Sequence, residues 1–332
     1  MEGFSDPLDR ALLDDWQRGF PVTARPYTAL AQALGTTEQG VIRRLQAKLD
    51  AGQITRVGAT VAPNTISAST LAAVAAPESR IEEVAAIIGE EPGVNHSYLR
   101  ENEWNLWFVA TGPDRAHVDA ALARIGRRSG LRVLDLPLVR PFNLDLGFSL
   151  RGEATSRPVT PPPDTSVLQE GDRDIVQALT TGLPLTSRPY AEIGDRLGRD
   201  MDDVLARIRV LIDARIIARL GVIVRHRALG WRANAMVVWD LPADAIDRAG
   251  PRLAAQPGIT LCYERQPVPG VWPYRLYCMI HARSRAEALD RLQSVSALPE
   301  LADAPHLALF SSQCFKQTGA MVAASGGKRE RA

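Results

Sequence analysis

The chain repeats itself. Residues 19–58 align without a gap on residues 182–221, and 15 of the 40 positions are identical. The matches include Arg25-Pro26-Tyr27 with Arg188-Pro189-Tyr190, Leu34-Gly35 with Leu197-Gly198, and Ile54, Arg56 and Gly58 with Ile217, Arg219 and Gly221. A repeat of this length is a duplicated domain, so whatever the first half folds into, the second must fold into a variant of it. The 332 residues are too many for one small core, which agrees with several domains.

Each copy opens with three helical patterns. Asp6 caps a helix begun by Pro7, with Leu8, Leu12, Leu13 and Trp16 on one stripe. Residues 27–34 form a short second helix ended by Gly35. Thr36 or Thr37 caps a third, which carries Val41, Ile42, Leu45 and Leu49 and stops near Gly52. The following ITRVGATVA alternates like a hairpin arm. Helix, short helix, turn, helix and β wing make a winged helix-turn-helix.

An α+β stretch follows in each copy. In the first, strands are expected over 70–76, 94–99, 103–110 and 131–138, with helices over 78–89 and 113–128. In the second, strands are expected over 233–241, 259–264, 274–281 and 306–310, with helices over 243–255 and 285–294. The order β-α-β-β-α-β is a ferredoxin-like sheet with both helices on one face. The fold class is therefore α+β, a tandem, pseudo-dimeric duplication of a winged helix-turn-helix and a ferredoxin-like domain. The expected boundaries are 1–66 and 67–150 for the first copy, 171–230 and 231–320 for the second. Between them lies a Pro-rich exposed linker, 151–170, and a flexible tail occupies 321–332.

Totals exclude several function classes. The 39 basic and 38 acidic side chains leave no global field to gather nucleic acid or an anionic membrane. Cys262, Cys278 and Cys314 lack metal-ligand spacing and fit free, packed thiols in a reducing compartment. No apolar run approaches membrane-spanning length, and the acidic start MEGFSDPLDRALLDDW lacks a signal-peptide layout, so a cytoplasmic location is expected.

Chemistry concentrates in PGVNHSYLRENEWNLWFVAT, residues 92–111, two strands around a polar turn. Alternation sends His96, Tyr98 and Arg100 to one strand face, where a half-buried strand would ordinarily place apolar groups. The second copy, PGITLCYERQPVPGVWPYRLYCMIHAR over 257–283, keeps Tyr263 and Arg265 but has Leu261 in place of His96. Its histidine, His281, stands where the first copy has Thr111, and alternates with Tyr277 and Arg275. Each half then supplies a different part, which suggests one composite pocket between the sheets.

A winged helix followed by a ferredoxin-like sheet resembles the Lrp/AsnC regulators. The stretches GVNHSYLRENEWNLWF and WPYRLYCMIHAR narrow this, because they resemble the motifs of siroheme decarboxylases, Lrp-like enzymes of alternative heme and heme d1-type synthesis associated with denitrification. That resemblance, over nearly the whole chain, implies removal of two acetate carboxyl groups from siroheme to give 12,18-didecarboxysiroheme by a fused pair of related subunits. It implies His96 and His281 in substrate binding and protonation. No resident cofactor or metal is expected, the iron belonging to the siroheme and either histidine being able to ligate it. Siroheme is the expected partner, with no DNA or membrane, and with a homodimer or contacts to other tetrapyrrole-pathway enzymes as the assemblies to consider.

The residues fit that chemistry. Losing carbon dioxide from a ring acetate leaves electron density that the macrocycle delocalises and that a proton must quench, which suits histidine. Arg100, Arg265, Arg275 and Arg283 are candidate carboxylate forks. Tyr98, Tyr263, Trp107 and Trp272 are candidate walls for a flat ring. Competing structural roles are packing for Tyr98 and Trp107, surface solvation for the arginines, and a hydrogen-bonded structural role for His96 and His281, while His117 on an exposed helix face and His306 near a strand start read as structural. His226 lies in a basic stretch near the wing, and Arg25 and Arg188 read as anchors of helix packing. The competing functions are a DNA-binding regulator, disfavoured by Asp200, Asp202 and Asp203 at the start of the second recognition helix, and a tetrapyrrole carrier without turnover.

Overall fold

The computed structural model describes residues 6–143 and 161–324. The first winged module contains α1 (Pro7–Asp14), α2 (Pro26–Ala33), α3 (Glu38–Asp50) and β1 (Ile54–Val61). The caps are those the sequence calls for. Asp6 accepts from the Leu8 amide, and Thr37, rather than Thr36, accepts from the Gly40 amide. The first sheet domain contains β2 (Ala68–Val74), α4 (Ile81–Glu90), β3 (Val94–Arg100), β4 (Leu106–Gly112), α5 (Arg115–Ser129) and β5 (Val133–Asn143). The second copy repeats the series as α6 (Asp172–Thr181), α7 (Pro189–Leu197), α8 (Met201–Asp213), β6 (Ile217–Val224), β7 (Ala233–Trp239), α9 (Ala243–Ala254), β8 (Ile259–Arg265), β9 (Leu276–Ala282), α10 (Arg285–Ser296) and β10 (His306–Gln317).

The wing differs from the expected hairpin arm. β1 pairs antiparallel with β6, its counterpart in the other copy, with Gly58 opposite Gly221. The two winged modules therefore share one ribbon and one core. Reciprocal bonds fasten them. Tyr27 donates its hydroxyl to the Pro184 carbonyl at 2.9 Å, and Tyr190 donates to the Pro21 carbonyl at 3.0 Å, which gives the duplicated Arg-Pro-Tyr a structural meaning. The Phe20 amide donates to Leu220 while the Leu183 amide donates to Val57. The ribbon lies so close to α6 and to the turn after α1 that a Cβ on Gly58 would sit 2.4 Å from the Leu179 carbonyl oxygen, and one on Gly221 2.2 Å from that of Gln17.

Each sheet has the ferredoxin order, β5-β2-β4-β3 and β10-β7-β9-β8, but neither sheet keeps its edges. β5 pairs with β2 through Pro137 and with β8 from Leu138 onward; β10 pairs with β7 through Phe310 and with β3 from Ser311 onward. The eight strands close into a barrel. This is why both last strands outrun the expected 131–138 and 306–310: their second halves lie on the other copy, so local alternation gives no sign of them. Phe142 at the end of β5 rests on Gly250 of α9, and Phe315 of β10 packs on the core beneath α4.

The linker expected over 151–170 lies partly outside the described residues; 161–170 are mostly exposed, with Arg215 donating to the Pro162 carbonyl and Leu168 packing against the winged core. The flexible tail expected over 321–332 needs correction at its start, and 325–332 lie outside the described residues. Val322 is fully buried in the winged core, and its amide donates to Gln177 Oε1 at 2.7 Å. Met321 donates its amide to Thr111 Oγ1 at 2.9 Å. Among the described residues no helix is long and apolar enough to cross a membrane.

The ribbon glycines supply a test. Gly58→Ala and Gly221→Ala should each lower unfolding stability by about 1–3 kcal/mol through backbone clash. Gly89→Ala in α4, where a Cβ meets nothing within 4 Å, should leave it unchanged or raise it by about 0.5–1 kcal/mol. Denaturant titrations giving all three variants the same midpoint would contradict the close approach.

Candidate functional site

Val94 of β3 packs beneath the helices with Leu106, Phe108 and Ala110, and a register shift between Val94 and His96 then reverses the face, so that His96 and Tyr98 lie opposite Val109 and Trp107 and, with Arg100, turn to the barrel interior. The alternation read from the sequence is thus real. The Tyr98 hydroxyl lies 3.4 Å from His96 Nδ1, and the two rings lie nearly parallel with centroids 6.3 Å apart. His96 and Arg100 stand four residues apart on one face, roughly 13 Å along the strand.

At the point where β10 changes partner, the copies meet chemically. Arg100 Nη1 donates to the Leu309 carbonyl at 3.0 Å and to Asn234 Oδ1 at 3.3 Å. The Asn234 amide nitrogen lies 2.7 Å from His281 Nε2, and Thr260 Oγ1 lies 2.9 Å from His281 Nδ1. The direction of this relay follows from its ends. Arginine can only donate, so Asn234 presents Oδ1 to it and Nδ2 to the imidazole. His281 Nε2 must then accept, which leaves the proton on Nδ1 for Thr260, whose hydroxyl donates to the Met279 carbonyl at 3.2 Å. His281 is a neutral imidazole with a fixed tautomer.

Electrostatics agree with that assignment. Burial, reinforced by the Arg100 and Arg291 charges, pushes His281 down to about 3. Burial and then the charge of Arg56 push His96 down to about 4. Arg100 is itself lowered to about 10 by burial and remains charged at neutral pH. The region is thus cationic, with two uncharged imidazoles.

The remaining candidates divide. Arg265 repeats the Arg100 brace, donating to the Leu136 carbonyl at 2.7 Å where β5 changes partner, and its guanidinium lies 4.5 Å from the Tyr263 ring centroid. Tyr263 stacks on Tyr277, whose hydroxyl accepts from Trp272 Nε1 at 2.8 Å, and Trp272 meets Trp107 with ring centroids 5.2 Å apart. These four rings fill the barrel core together with Leu134, Leu136, Met236 and Leu309. They pack on one another, so the expectation of open aromatic walls is corrected, because the inward faces of two sheets need large apolar groups to close their gap. Arg275 precedes β9, and only its backbone is held, by Trp239 and Arg265. Arg283 is exposed and lies over Trp231. Neither arginine joins His281, because the alternation expected from residue 274 begins only at Leu276 and Arg283 lies beyond the end of β9.

The secondary candidates behave structurally. Asp114 caps α5 by accepting from the His117 amide, with the His117 ring Nδ1 2.8 Å from the same carboxylate, and His306 is exposed beside Trp239. Arg25 pairs with Glu38 at 2.7 Å, and Arg188 reaches the Met201 sulfur. The His226 side chain lies outside the described residues. Cys262 and Cys278 are buried in the second sheet's core, whereas Cys314 is exposed opposite Tyr98, so it is not a packed thiol. Among the described residues no cluster of three His, Cys, Asp or Glu could hold a metal.

Two concavities, of about 500 Å³ near Pro92, Gln177 and Met321 and about 420 Å³ near Ala85 and Phe315, include neither histidine. Arg100, Asn234, His281 and Thr260 form one hydrogen-bonded cluster across the two copies.

Sequence reasoning passed over Asn234 and Thr260. Asn234 had a signal, since it alternates with Met236 and Val238 and stands as the polar member of an apolar face. Arg56 also had one, being identical in both repeats.

Comparison with known proteins places this geometry. A model described as an AsnC-like ligand binding domain matches residues 66–143 and 228–316. One described as a siroheme decarboxylase NirDL-like HTH domain matches residues 9–54 and 172–217. The chain is 55% identical over 319 residues to the siroheme decarboxylase NirDL subunit of Paracoccus pantotrophus, covering 96% of this chain and 98% of that one. It is 54% identical over 318 residues to the corresponding subunit of Paracoccus denitrificans, with the same coverage. A crystal structure of the siroheme decarboxylase NirDL superposes with a TM-score of 0.67 at 25% identity, covering 96% of this chain and 95% of that one. An identity above half, sustained across both copies of the repeat, means that the chain belongs to the siroheme decarboxylase family.

Proposed function

We propose that this chain is a carboxy-lyase that removes two acetate carboxyl groups from siroheme, giving 12,18-didecarboxysiroheme. The observation that carries the reading is the cross-copy relay from Arg100 through Asn234 to His281. It brings a charged fork from one half against an imidazole from the other. In each round the bond between the acetate carbons breaks, carbon dioxide leaves, and the electron pair passes into the macrocycle. A proton then converts the remaining methylene into a methyl group. Histidine supplies that proton and recovers it from solvent. No resident cofactor is needed, since the ring is its own electron sink.

The neutral imidazoles fit a donor that is charged by its substrate. A bound ring brings carboxylates close to His96 and His281, and nearby negative charge raises an imidazole pKa. Protonation is thereby coupled to occupancy. The same anions find Arg100 and Arg265 already held in place, so little orientation is lost on binding. The packed aromatic core implies that the ring enters by displacing side chains at the barrel rim.

The regulator reading finds less support. Asp200 caps α8, Asp202 lies in its first turn, and Arg199 is paired with Asp203 at 2.6 Å. In α3 Arg44 is occupied by Asp6 and Asp9, and Glu38 by Arg25, which leaves little free cation for phosphates. A carrier without turnover would share the binding groups and differ only in rate.

Incubation of the purified protein with siroheme under anaerobic conditions should release carbon dioxide and give the didecarboxylated ring by mass spectrometry. Unchanged siroheme would overturn the reading. His96→Gln and His281→Gln should each reduce kcat by about 100-fold or more with the fold retained, and normal turnover in either would remove that histidine from the mechanism. The donor acts as imidazolium, so kcat should fall as pH rises through a bound-state pKa above 4, the free-protein value at His96. A kcat independent of pH across the range of stability would exclude protonation by either histidine.

A further inference from the structure

Arg56 sits on β1, in the winged module, outside the sheet residues that the chemistry first suggests. Its side chain runs through a lane made by two glycines. A Cβ on Gly58 would lie 3.3 Å from its Cδ and Nε, and one on Gly182 would lie 3.3 Å from its Cβ. Gly182 belongs to the other copy and adopts φ of 138°. Within that lane one terminal nitrogen, Nη2, donates to the Ala59 carbonyl at 3.1 Å, while the buried Nε has no partner. No carboxylate pairs with Arg56 among the described residues, and burial lowers it to about 10, which still leaves it charged at neutral pH.

A guanidinium kept desolvated and without a counterion costs stability. Arg56 is half-buried, and although the buried Nε of Arg100 and of Arg265 also lacks a partner, other arginines here are offset more fully. Arg207 is met by Asp172 at 2.7 Å, and Arg100 is spread over a backbone carbonyl and Asn234. Arg56 has one carbonyl, and its lane adjoins the His96 strand: Thr180, two residues before Gly182, donates its hydroxyl to the Ala320 carbonyl at 3.0 Å, and Thr318 of the same segment donates its amide to the carbonyl of Asn95, next to His96, at 2.8 Å. Two more cations converge on the same edge. Arg227 Nη1 donates to the Ser311 carbonyl at 3.4 Å, and Arg225 and Arg227 both act on Cys314, which is paired with Tyr98 across the β10–β3 ladder.

We propose that Arg56 is a carboxylate-binding residue of the tetrapyrrole site, reaching from the ribbon to hold a peripheral carboxylate of the ring beside His96. This rests on the tetrapyrrole reading above and extends it, because it gives the winged module a part in substrate recognition. The guanidinium fork accepts a carboxylate through two parallel hydrogen bonds, and the unpartnered Nε is one of the donors available for it. The bound anion would also offset the charge that holds His96 neutral in the free protein.

The test is binding by absorbance titration, which does not require turnover. Iron-uroporphyrin carries ring acetates and propionates; iron-coproporphyrin has methyl groups in place of the acetates. Arg56→Gln should weaken iron-uroporphyrin binding about tenfold or more with thermal stability maintained. Loss confined to iron-uroporphyrin assigns Arg56 to an acetate, and an equal loss for both rings assigns it to a propionate. Unchanged affinity for both overturns the proposal. If the glutamine variant does not fold, mapped phenylglyoxal modification of the unaltered protein decides instead: iron-uroporphyrin must shield Arg56, and equal labelling with and without it overturns the assignment. Binding without decarboxylation of siroheme would refute the enzyme reading and leave Arg56 to be judged on affinity alone. Failure of the unaltered protein to bind either ring would refute both.

Discussion

The architecture depends on the exchange of edge strands between the two halves. Each ferredoxin-like sheet ends in a strand that leaves its own copy midway, β5 at Leu138 and β10 at Ser311, and completes the other sheet. The exchange closes the barrel and removes the free edges that isolated halves would expose. It is braced twice by the same device, a guanidinium bonded to a main-chain carbonyl at the crossing: Arg100 on Leu309 and Arg265 on Leu136. A fused chain keeps both partners at high effective concentration, so the exchange is intramolecular.

Function follows from where the duplication stopped being symmetric. The arginine braces are retained on both sides, but the polar groups around them diverged. At one crossing Arg100 meets Asn234 and through it His281; the corresponding residues of the first copy are Ser69 and Thr111. His96, in turn, has Leu261 as its counterpart. The two candidate histidines, His96 and His281, thus stand at non-equivalent strand positions of the two halves. The scaffold joins two AsnC-like ligand-binding domains to two helix-turn-helix modules, with acidic groups at the start of α8 and ion pairs on α3.

Features held by neighbouring residues could be read in the sequence. The Asp6 and Thr37 caps, the glycine turns and the 92–111 hairpin depend on neighbours in sequence, and so does the placement of His96, Tyr98 and Arg100 on one face. Features created by pairing between copies could not. β1 alternates as any strand does, and nothing in it says that its partner is β6 rather than a local return arm. The second halves of β5 and β10 answer to another sheet, and Val322 is buried only because a gap in a distant core accepts it. The candidate site shows the same division: the shared face of His96, Tyr98 and Arg100 was legible, whereas Asn234 and Thr260 gain their contacts only when β7 and β8 lie beside His281. Arg275 and Arg283 were misplaced because β9 starts and stops within a residue or two of where alternation suggested.

If strand exchange puts Arg100 of one half and His281 of the other into a single binding unit, their contributions to ligand affinity cannot be independent. A double-mutant cycle of Arg100→Met and His281→Leu, read as the dissociation constant for iron-uroporphyrin, measures this directly. A coupling of about 1 kcal/mol or more is expected for groups joined through one bridging side chain. Additive effects, with no coupling beyond about 0.3 kcal/mol, would mean that the two halves do not share a site.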